Sequence, residues 1–145
     1  MDHVFGEDIK KTIAEQLGHT NGDMATVCFK LFDYIANDPT RKMHLTFIDL
    51  YNVVSPVNEN LFYSCVFFLT RKDIDVLTQK FEAWNNNRSR WQVVPDLNEI
   101  IIAISEKDYF NPFSGDPLDE VSFSKQVVTF FSPSETIIQR YKNAN

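Results

Sequence analysis

The apolar residues Ile9, Ile13 and Leu17 recur every fourth position, the spacing of one helical face. This predicts a helix over 8–17, with Gly18 as its stop. Residues 19–23 predict a loop, and Asp23 suits the N-cap of a second helix over 23–37. Its apolar set Val27, Leu31, Tyr34 and Ile35, with Cys28 and Phe32 beside it, is wide enough for a central position. Pro39 ends that helix, because it lacks a donor and disfavours helix in the residue before it. A short strand is expected at 42–45. Thr46 and Asp49 then approximate a capping box, and Phe47, Leu50, Tyr51 and Val54 repeat at helical spacing over 46–54.

The turn SPVN leads to Asn58, another N-cap type, and to the nearly all-apolar run LFYSCVFFLT, residues 61–70. A helix over 59–70 puts Leu61, Cys65, Phe68 and Leu69 on one stripe, with Phe62 and Val66 at its edge. Asn60, Tyr63, Ser64, Phe67 and Arg71 fall on the opposite face. A strand also fits the Val, Phe and Tyr content, but strict alternation is missing and the helix is preferred. At this length the run cannot span a membrane, which takes about 20 apolar residues.

Residues 76–95 admit a helix along Ile74, Leu77, Phe81 and Trp84, or a hairpin. In the hairpin, Trp84 and Trp91 bracket the turn-forming hexapeptide NNNRSR and pair across it. The hairpin is preferred. Asp96 and Glu99 stand in a capping-box relation before an apolar run suited to a buried helix. A loop follows over 108–120. VSFSKQVVTFF fits a strand or a short helix equally. Ser132, Pro133 and Glu135 predict a capped terminal helix to about Tyr141. The pattern implies an α+β, mostly helical fold in a single domain, 1–145.

Composition adds little chemistry. Cys28 and Cys65 sit among apolar neighbours and read as buried free thiols rather than a disulfide or metal pair. His3, His19 and His44 have no partner at metal-ligand spacing. There is no Gly-rich phosphate loop and no nucleophile elbow, and Asp73 and Asp75 read as a cap or an exposed turn. The expectation is a non-enzymatic protein with no cofactor and no metal. The acidic N-terminus lacks the apolar core of a signal peptide, so a cytoplasmic setting is expected, without membrane contact. Net charge is −6. Between Pro39 and Pro95, however, seven basic residues face five acidic ones, and the two ends together hold seven and fifteen. A mildly basic centre between acidic flanks suggests two surfaces with different roles.

Helix 23–37, strand 42–45, helix 46–54, tight turn, helix 59–70 and hairpin 76–95 together resemble the winged helix-turn-helix superfamily in element order. The resemblance implies a winged-helix-like core at 23–95 with a β-hairpin wing, an extra N-terminal helix and a C-terminal helix-and-strand extension over 96–145. It further implies a small regulator, or the DNA-engaging subunit of a complex, bound to double-stranded DNA. The third helix of the core would read the major groove with Asn60, Tyr63, Ser64 and Phe67. Arg88 and Arg90 at the wing tip, with Arg41, Lys42, Arg71 and Lys72, would contact phosphates. Such folds also dock proteins. The alternative is therefore an interaction or adaptor module, binding a protein partner or forming a homodimer. It would use the acidic flanks and the Phe-rich segments YFNPF and VVTFF.

Overall fold

A computed structural model describes residues 3–17 and 22–141. Gly18, His19 and most of the expected 19–23 loop lie outside the described residues, as does the side chain of His3. Among the described residues, helices far outweigh a three-stranded sheet, so the fold is α+β and mostly helical. The chain groups into two compact units. The first holds residues 1–78 and 131–145, the second 79–130. The stretch 23–95 is thus shared between them.

The first unit is built around α2 (Gly22–Ala36), which packs against α1 (His3–Leu17), α3 (Phe47–Val54), α4 (Glu59–Leu69) and α7 (Glu135–Tyr141). Its central place follows from the wide apolar face seen in the sequence: Ala25, Val27, Cys28, Leu31, Phe32 and Ile35 are all buried. Asp23 sits inside the first turn of α2 rather than capping it. The expected strand at 42–45 reduces to one antiparallel bridge, Leu45 to Phe131, and Pro39–Arg41 forms a short 3-10 turn instead. The box at α3 is complete: Asp49 N donates to Thr46 Oγ1 at 3.1 Å and Thr46 N to Asp49 Oδ2 at 3.0 Å.

The apolar decamer is helical. Asn58 Oδ1 caps α4 by accepting from Leu61 N at 3.1 Å. The buried stripe is Phe62, Cys65, Val66, Phe68 and Leu69. Leu61 is only half-buried, so the stripe is rotated slightly toward Phe62 and Val66, with Cys65 and Leu69 at its centre. Tyr51 supports the turn before α4, its hydroxyl donating to the Val57 carbonyl at 3.0 Å.

The hairpin is formed by β1 (Leu77–Asn85), which enters the second unit at Gln79, and β2 (Arg90–Val93), with Trp84 directly opposite Trp91 and their rings 5.9 Å apart, edge to face. The turn works because Asn85 Oδ1 accepts from Asn87 N at 3.1 Å and Ser89 takes a left-handed φ of 50°. These local bonds replace the ladder at the reversal. VSFSKQVVTFF is both things in succession: α6 (Glu120–Gln126), then β3 (Val127–Pro133). β3 joins β1 on the side away from β2, giving the order β2-β1-β3.

Two capping expectations change. Asp96 caps α5 (Leu97–Glu106) by accepting from Asn98 N at 3.0 Å, without a reciprocal bond from Glu99. At α7 the cap is Ser134, whose Oγ accepts from Ile137 N at 3.1 Å, whereas Ser132 and Pro133 finish β3. The expectation of a buried α5 also fails: only Ile100 and Ala103 are buried, and Ile101, Ile102 and Ile104 are exposed. The loop before α6 is anchored by Asn111, 4% exposed. Its amide donates to the Trp84 carbonyl and to Gln126 Oε1, both at 2.9 Å, and its Oδ1 accepts from Phe113 N and Ser114 N.

Candidate interaction face on the third and fourth helices

The helical phase of α4 decides which of its side chains reach solvent. Asn60, Tyr63, Ser64 and Phe67 all do, on one face, as the sequence spacing predicts. That face is more aromatic than polar. Tyr63 and Phe67 are 42% and 43% exposed, and both rest edge-on against Phe47 of α3, with centroids 5.2 and 6.1 Å away. Phe67 also meets Phe131 at 6.2 Å. Each ring is therefore held in place by its inner edge and offers its outer edge.

Beside these rings, α3 and α4 enclose a groove of about 230 Å³ lined by Phe47, Ile48, Tyr51, Glu59, Phe62 and Tyr63. Ile48 is 73% exposed, the most open large apolar side chain among the described residues of the first unit. Sequence reasoning missed it and Glu59. The available signal was that Ile48 falls off the buried stripe Phe47, Leu50, Tyr51 and Val54, which leaves an isoleucine pointing outward.

The basic residues assigned to phosphates divide into two sets. Arg71 donates to both carboxylate oxygens of Asp73, at 3.0 and 2.8 Å, and lies 5.2 Å from the centroid of the Phe68 ring. That guanidinium and Gln16 hold the Asp73 carboxyl below the usual aspartate range. Arg41 pairs with Asp38 at 3.3 Å. Lys42 donates to the Asn37 carbonyl and sits over the Tyr34 ring. Partial burial lowers its ammonium below the ordinary lysine value, against a smaller opposing effect of Asp38. Lys72, Arg88 and Arg90 are exposed, and among the described residues none of the three has an ion-pair partner. Lys72 belongs to the first unit. Arg88 and Arg90 belong to the second, at the hairpin turn and the start of β2.

The Phe-rich segments supply core rather than surface. Phe130 and Phe131 are buried, and Phe110 and Phe113 are half-buried. Cys28 and Cys65 are fully buried free thiols that meet between α2 and α4. Hydrogen bonding of Cys28 to Cys65, then burial, raises the Cys28 thiol far above its ordinary value, so it stays protonated and unreactive. Among the described residues no group of three or more His, Cys, Asp or Glu side chains is placed to hold a metal ion. No helix among them is long and apolar enough to cross a membrane. No family model, curated protein or solved structure matches the chain.

Proposed function

We propose that the chain is a protein-interaction module whose first unit docks a partner protein on the α3–α4 face. The observation that carries this reading is the aromatic groove between those helices, with Ile48 and Tyr63 open at its edge. Rigid rings with exposed edges are what interface centres use, because they offer area at little entropic cost. The charge of the unit adds to the case: it holds nine basic against twelve acidic residues, and Arg41, Lys42 and Arg71 already have partners within the chain.

Ile48→Glu tests this reading. The side chain is mostly outside the core, so thermal unfolding is expected to stay within a few degrees of wild type. Peptides selected from a random display library on the wild-type chain are expected to lose at least about ten-fold in affinity for the variant, as central interface positions do. Binders indifferent to Ile48→Glu would sink the reading.

A second reading, duplex DNA binding in the winged-helix manner, draws support from the exposed Arg88 and Arg90 at the hairpin, which have no ion-pair partner among the described residues. Under it, Arg88→Ala and Arg90→Ala each lower the slope of log affinity against log salt by about one. Absence of duplex binding at about 50 mM salt, where phosphate contacts are strong, removes it.

A further inference from the structure

We infer that the α3–α4 groove is built for a partner segment that presents one bulky apolar side chain with an arginine or lysine beside it. The inference rests on the docking reading and specifies the chemistry of the occupant. Size is the first argument. At about 230 Å³ the groove falls below the roughly 300–1,000 Å³ of small-molecule sites. It suits a single anchoring side chain of the kind that dominates protein interfaces.

Charge is the second argument. The lining is uncharged except for Glu59. Glu59 is exposed in the first turn of α4 and has no basic partner among the described residues. Among the described residues no lysine or arginine lines the groove. A cation next to the apolar anchor meets complementary charge there, and an acidic neighbour meets the Glu59 carboxylate of like sign. The rings are the third argument. In this unit Lys10 lies over Phe32, Lys42 over Tyr34 and Arg71 over Phe68, so other rings of the same unit already hold cations by the attraction that a partner's arginine would use at the groove.

The test is selection from a random peptide display library on the full chain, with Ile48→Glu and Glu59→Gln measured in parallel. Thermal unfolding serves as the check on folding. Peptides selected on the wild type are expected to share a large apolar residue adjacent to arginine or lysine. They should fail on Ile48→Glu and weaken about two- to five-fold on Glu59→Gln, with a flatter salt dependence. Peptides that need Ile48 but carry acidic or uncharged neighbours, and bind Glu59→Gln unchanged, overturn the inference and leave the docking reading standing. An empty selection, or binders indifferent to Ile48→Glu, overturns both. A dimer by light scattering that Ile48→Glu dissociates also overturns the inference, by making a second copy the occupant.

Discussion

Helices α4 and α5 are of similar length and both read as apolar runs, yet they meet different fates. α4, in the first unit, buries Phe62, Cys65, Val66, Phe68 and Leu69. α5, in the second, buries Ile100 and Ala103 and leaves Ile101, Ile102 and Ile104 in solvent. The difference lies in what each helix meets. The core that α4 enters contains α2, with its wide apolar face, and draws on residues from Ile13 to Ile137. The core behind Ile100 is Phe81, Ala83, Val94, Phe123 and Val127, too few side chains to cover a second face. The second unit relies in addition on a polar anchor, the buried Asn111 amide. Hydrophobicity along a helix states how much surface seeks cover, and the neighbours decide how much receives it.

Mutations can break this contrast. Phe62→Ala removes a ring from the larger core and is expected to cost about 3–5 kcal/mol in urea unfolding. A cost below about 1 kcal/mol would deny α4 its buried role. Asn111→Ala strands the Trp84 carbonyl and the Phe113 and Ser114 amides, for an expected loss of roughly 3 kcal/mol. A neutral result there would leave the second unit held by its apolar core alone. Truncating the caps should cost about 1 kcal/mol each for Asn58→Ala and Asp96→Ala, equal in the two helices because capping is local. Ile102→Ser is expected to stay within about 0.5 kcal/mol of wild type, and a large loss would mean that α5 is covered after all.

The smallest effect is one of pH. The folded-state pKa of Asp73 is lowered by Arg71 and Gln16, so its contribution to stability is complete above the unperturbed aspartate value of about 3.9. It disappears as pH falls through the lower folded value. Melting temperatures between about pH 2 and pH 6 should therefore fall less steeply at the acid end for Asp73→Asn than for wild type.

The sequence revealed most where structure is set locally. The Thr46–Asp49 box, the Asn58 cap, the NNNRSR turn and the outward face of α4 all depend on residues within two turns of each other, and each was readable. What escaped depends on distant partners. β3 pairs with β1 about fifty residues away, and Gln79 reaches Thr129 at 3.1 Å across that pairing. The same pairing explains the misplaced cap. Ser134 N donates to the Val76 carbonyl at 2.9 Å, so Ser132 and Pro133 are drawn into the strand and the cap falls to the next serine. Of the candidate site, the α4 residues were legible from helical phase, but the groove was not. It needs Ile48 from one helix beside Tyr63 from another, and one chain gives no sign of that meeting. The partners of Arg41, Lys42 and Arg71 were hidden for a different reason: acidic and carbonyl groups nearby in the chain engage them only once the turns around them form.

The paired indoles of the hairpin give the molecule an internal optical label. Trp84 and Trp91 are the only tryptophans in the sequence, and both belong to the second unit. Emission excited at the red edge of the absorption band therefore registers melting of that half alone. Four of the five tyrosines lie in the other half, so the two can be followed by colour in one cuvette without attaching a dye.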